Sequence, residues 1–193
     1  MSNIPKILAF AGSARQNSFN KKLVKLAAEG AQLAGAQVTY VDLRELPMPL
    51  YDQDLEAEQG FPDTVKQFKA LLKANQGFLI ACPEYNSSIT PLLKNAIDWA
   101  SRPEPNEPGL VCFRDKIAVL MSTSTGALGG LRGLVHVRAI LGNIGVIVLP
   151  DQKAIPNANE AFDDYGNLKN EQQQKEIYQL GNKLTTVVSK LLH

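Results

Sequence analysis

The chain has 193 residues, 45% of them hydrophobic and 20% charged, with a formal net charge of +1. That length suits one domain, residues 1–193, with a single sizeable core. The near-neutral charge argues against a nucleic-acid footprint and against a polybasic membrane patch.

Lys6 to Ala11 (KILAFA) reads as a short buried strand, broken at Gly12 and Ser13. Asn20 to Ala34 has helical spacing, with Leu23, Leu26, Ala27 and Leu33 as its apolar stripe and Gly35 as its stop. Gln37 to Leu43 is the second strand, rich in β-branched and aromatic residues, and a loop with Pro47, Pro49 and Gly60 follows. Asp63 to Ala74 is a helix and Gly77 to Cys82 a third buried strand stopped by Pro83. Pro91 to Ser101 is a helix and Arg102 to Gly109 a proline-containing loop. Lys116 to Met121 is the fourth strand, Leu131 to Leu141 a helix and Gly145 to Leu149 the fifth strand. Leu168 to Leu192 is a long final helix whose apolar side runs through Ile177, Leu180, Leu184, Val187, Val188 and Leu191. Five apolar strands separated by helices predict a parallel sheet covered on both faces.

Cys82 and Cys112, like His136 and His193, are too far apart in sequence for a disulfide framework or a short metal motif. Reduced thiols in the cytoplasm are the expectation. The opening MSNIPKILAF lacks the apolar run of a signal peptide, and no stretch is apolar for long enough to span a bilayer.

In an open α/β sheet, ligands bind beyond the C-terminal ends of the strands. Three loops there are unusual. The first, residues 12–20, runs GSARQNSFN into a predicted helix N-terminus, where free N–H groups and the helix dipole favour an anion. Ser13, Arg15, Ser18 and Asn20 add four polar side chains suited to phosphate oxygens. A dinucleotide fingerprint needs three spaced glycines and only Gly12 is present; the lysine of a nucleotide P-loop is absent too. The loop therefore suits one terminal phosphate, and Asp42 is a weak candidate for a ribose contact. The second loop, Pro83 to Ser88, offers the flat ring of Tyr85 and the polar edge of Asn86 to a planar heterocycle. The third, residues 122–130 (STSTGALGG), puts hydroxyls before glycines that let backbone approach a ligand.

These three segments, GSARQNSFN, PEYNSSITPLLKNAIDW at 83–99 and STSTGALGG, resemble the NADPH-dependent FMN reductase family, which includes quinone, chromate and azo-dye reductases. The resemblance implies a flavodoxin-like three-layer α/β sandwich with a five-stranded parallel sheet of order 2-1-3-4-5. It implies that Ser13, Arg15, Ser18 and Asn20, with Phe19 among them, bind the FMN phosphate end. It implies that Pro83, Glu84, Tyr85 and Asn86 border the ring and ribityl chain, with Thr123 and Gly126 against the flavin. Asn95 and Asp98 fall on the helix that follows and read as structural or interface residues. Members of the family form dimers or tetramers, so a homodimer or homotetramer is expected.

A flavin takes hydride without a protein nucleophile, so no catalytic side chain is assigned. The expected cycle is ping-pong. NADPH or NADH reduces bound FMN and leaves, and a small acceptor (free flavin, a quinone, chromate or an azo compound) follows. A flavodoxin-type electron carrier and a flavin-binding regulatory protein are the alternatives.

Overall fold

A computed structural model of the protein describes residues 4–192; the first three residues and His193 lie outside them. In chain order the strands are β1 (Lys6–Ala11), β2 (Gln37–Val41), β3 (Gly77–Ala81), the two-residue pair β4 (Glu84–Tyr85) and β5 (Ser88–Ile89), then β6 (Ile117–Thr123) and β7 (Ile147–Ile155). The helices are α1 (Phe19–Leu33), α2 (Gln53–Gln59), α3 (Asp63–Ala74), α4 (Pro91–Ser101), α5 (Leu131–Asn143), α6 (Ala158–Ala161) and α7 (Glu171–Leu191).

The five long strands form one parallel sheet in the order β2-β1-β3-β6-β7. Counting only those strands, this is the expected 2-1-3-4-5 order. Side chains alternate across it, as a period of two requires. Ile7, Ala9 and Ala11 of β1 join Leu79, Ala81, Val119 and Met121 under α1 and α7. Leu8 and Phe10 join Phe78, Ile80 and Leu120 under α3, α4 and α5. Burial on both faces is why the strands read as unbroken apolar runs.

Helix α1 departs from its predicted stripe. Leu33 is 82% exposed, while Val24, Ala28 and Ala31 are buried. The small residues face α7, where a Cβ on Gly30 would strike the Tyr178 carbonyl and one on Gly181 the Ala27 carbonyl. The two backbones pack too closely for larger groups. On α7, Leu191 is likewise 66% exposed.

Strand β7 runs to Ile155, beyond the expected end at Leu149. Pro150 does not stop it because the edge strand bulges there. The register passes from Ala118–Val148 to Leu120–Gln152, leaving Pro150 out of the ladder. The segment after β2 holds α2, capped by Asp52, which accepts from Asp54 N–H at 2.9 Å. None of its residues is buried, so no apolar stripe marked it.

Candidate functional site

Among the described residues, the C-terminal ends of β1, β3 and β6 meet in one cleft of about 150 Å³. It is lined by Ser13, Arg15, Ser18, Phe19 and Asn20 from the first loop and Pro83, Glu84 and Tyr85 from the second. Thr123 comes from the third, as do Ser124 and Thr125, which the site reading had not singled out. The run of hydroxyls from Ser122 to Thr125 was the available signal. Asn86 and Gly126 lie outside the lining: Asn86 turns the hairpin, and the Gly126 carbonyl accepts from Gly129 and Asn157 N–H.

The floor of the first loop is set by glycine. A Cβ on Gly12 would sit 2.8 Å from Leu93 Cβ, so only glycine lets α4 start this close. Thr90, the N-cap of α4, donates its hydroxyl to Gly12 O at 2.7 Å and accepts from Leu93 N–H at 3.3 Å. The loop then rises to Ser13, whose Oγ accepts from Arg15 N–H at 3.3 Å. Ser18 is the N-cap of α1, and its side chain makes no capping bond although it is only 4% exposed. The first turn of α1 carries no acidic residue. The helix thus presents its positive end, the uncapped hydroxyl of Ser18 and an exposed guanidinium to the cleft.

Asn20 holds the loops together. Its Nδ2 donates to Thr123 O at 2.8 Å and its Oδ1 accepts from Thr123 N–H at 3.1 Å. Both ends of the carboxamide are therefore engaged with β6. The Thr123 hydroxyl donates to Ile155 O at 2.8 Å, and Ala158 N–H donates to Ser124 O at 3.0 Å. The extended β7 and short α6 brace the third loop in this way.

Glu84 lines the cleft, but its Oε2 accepts from Gly133 N–H, in the first turn of α5, at 2.8 Å. Asp42 is paired with Lys21 at 2.6 Å and caps Arg44 N–H, which accounts for its carboxylate without a ribose. Asn95 is structural: it accepts from Tyr51 N–H and donates to Pro49 O, tying down the chain before α2. Asp98 pairs with Lys94 at 2.7 Å on the surface of α4.

Both thiols are buried and unpaired. Burial pushes the Cys82 thiol up, and pushes Cys112 up to about 11. Neither is a ready nucleophile at neutral pH. Among the described residues no cluster of three or more His, Cys, Asp or Glu could hold a metal ion, and no helix is long and apolar enough to cross a membrane.

A doubly wound parallel sheet with an open helix N-terminus at the C-terminal end of β1 puts the protein in the flavodoxin-like class of α/β folds. The comparisons are narrower. The model of the NADPH-dependent FMN reductase family matches residues 5–160, and the chain belongs to that family of oxidoreductases, whose cofactors are FMN and NAD(P)H. An NAD(P)H-dependent FMN reductase of Pseudomonas aeruginosa is 36% identical over 180 residues, covering 93% of this chain and 92% of its own. A probable NADPH:quinone oxidoreductase of Oryza sativa subsp. japonica is 35% identical over 177 residues, covering 89% and 83%. The solved flavoenzyme NAD(P)H:(acceptor) oxidoreductase of Paracoccus denitrificans superposes with a TM-score of 0.80 at 26% identity, covering 97% of this chain and 98% of its own.

Proposed function

We propose that this chain is a single-domain NAD(P)H-dependent reductase that holds FMN in the cleft and passes electrons to a small acceptor of the quinone class or to free flavin. The reading is carried by the start of α1, where an uncommitted Ser18 hydroxyl and Arg15 meet an anion-seeking helix end. Ser13, Arg15, Ser18 and the first N–H groups of α1 would hold the phosphate. Phe19, Pro83, Tyr85, Thr123, Ser124 and Thr125 would line the remainder. When bound, FMN supplies two-electron chemistry, taking a hydride from nicotinamide and giving electrons to the acceptor. Relatives named as quinone reductases and as an FMN reductase support those two acceptor classes.

The volume of the cleft supports a division of labour. At about 150 Å³ it falls below the size that encloses a whole ligand of this kind, and suits the phosphate and ribityl end. Tyr85 and Pro83 would then border the ring at the mouth of the cleft, where donor and acceptor could reach it in turn. A homodimer or homotetramer would cover part of that mouth.

Arg102, Arg132 and Arg138 are the arginines that could meet the 2′-phosphate of NADPH. Arg102 bonds Glu56 at 3.0 Å, and Arg138 bonds Val148 O and Gln152. Arg132 is exposed beside the Tyr85 hairpin, with a single 3.2 Å bond to Ser87, and is the one we assign to the donor. The deciding experiment is extraction and identification of the flavin, then NADPH and NADH oxidation with a quinone, free FMN and an azo dye. FMN in the extract and parallel-line kinetics are expected. FMN binding without NAD(P)H oxidation would instead make the chain a flavodoxin-type electron carrier.

A further inference from the structure

The hairpin that carries Tyr85 is too short to stand alone. Each strand has two residues, and Asn86 and Ser87 turn it with φ of 50° and 63°. Left-handed conformation at both turn positions is the geometry of a tight hairpin, but it suits asparagine far better than serine. An isolated two-stranded ribbon is marginal in water even at greater length.

Three side-chain bonds tie the ribbon to α5. Ser87 Oγ accepts from Arg132 at 3.2 Å, and Ser88 Oγ shares a 2.8 Å bond with His136 Nδ1. Both lie in solvent, where water competes. The third, from Gly133 N–H to the Glu84 carboxylate at 2.8 Å, is partly buried and sits at the positive end of the helix. The start of α5 is shaped to receive it. A Cβ on Gly133 would stand 3.3 Å from Ser88 O and 3.4 Å from Glu84 Cβ, and one on Gly130 would strike Ser122 Oγ.

We propose that Glu84 is a positioning residue: its carboxylate reaches the first turn of α5 and thereby fixes the Tyr85 hairpin at the mouth of the cleft. The bond requires an acceptor oxygen at the reach of a glutamate side chain, not negative charge as such. The consequence for flavin rests on the function proposed above; the consequence for the hairpin does not.

Two conservative variants separate reach from charge. Glu84→Gln keeps an acceptor oxygen at the same reach, whereas Glu84→Asp keeps the charge but falls one methylene short. In ligand-free protein, amide hydrogen exchange of residues 84–89 and Gly133 should quicken by about tenfold or more in Glu84→Asp and stay within about threefold of wild type in Glu84→Gln. Titration with FMN and with riboflavin should show about tenfold weaker binding of both to Glu84→Asp, by the same factor, with Glu84→Gln near wild type. Unchanged exchange in both variants, or Glu84→Gln impaired at least as much as Glu84→Asp, would overturn the proposal. A loss confined to FMN would place Glu84 at the phosphate and overturn it as well. If the wild-type chain bound neither flavin, the proposed function would fall while the exchange measurement still decided the role of Glu84.

Discussion

Two helices, α1 and α5, start at the same edge of the sheet, and their N-termini are finished in opposite ways. At α1 the N-cap is Ser18, its side chain makes no capping bond and no acid sits in the first turn. At α5 the N-cap is Gly130 in the left-handed region, and Glu84 is bonded to the N–H of Gly133. Each helix end carries the same kind of partial positive charge. The protein closes one with its own carboxylate and leaves the other open. That contrast supports the proposal that the ligand's phosphate sits at α1.

The largest test of this comparison is Asn20→Ala. Asn20 joins the start of α1 to the end of β6, and its loss leaves the buried N–H and C=O of Thr123 without those partners. Denaturant unfolding should show a loss of about 2–4 kcal/mol. Next comes Arg15→Ala, which should weaken FMN binding by about 1.5–3 kcal/mol, read by fluorescence titration, and leave the ligand-free fold unchanged. An unchanged dissociation constant would remove Arg15 from the cradle.

Gly130→Ala probes the closed helix. At φ 88° and against Ser122 Oγ, an alanine should destabilise the protein by about 1–2 kcal/mol or more, seen in the same unfolding assay. The smallest effect is expected from Ser18→Ala. Its stability without ligand should stay within about 0.5 kcal/mol of wild type, because the hydroxyl makes no capping bond. Asn170→Ala, which removes a true cap from α7 (its side chain accepts from Gln173 N–H at 3.0 Å), should cost about 1 kcal/mol. Equal losses in these two variants would make Ser18 an ordinary cap.

Much of the fold was legible because its signals are local. Lys6–Ala11, Asp63–Ala74 and Pro91–Ser101 lie where apolar periodicity and proline placed them. The misses have physical causes. Helix α2 buries nothing and so leaves no stripe, and Pro150 sits in a bulge of an edge strand that continues past it. Leu33 fits the helical spacing but points away, because Gly30 and Gly181 bring α1 and α7 together around small residues.

The chain's own sequence determined the alternation of strands and helices, the parallel sheet and the three loops gathered at one edge, since these follow from periodicity and from residue chemistry within each segment. Only the tertiary structure decided what each polar side chain does there. Asn20 and Glu84, expected as ligand contacts, both line the cleft, and each is also bonded across the fold, one to Thr123 and the other to Gly133, partners 103 and 49 residues away. A carboxamide or carboxylate has the same donors and acceptors wherever it stands. Which of them remain for a ligand depends on the backbone groups that folding brings beside it.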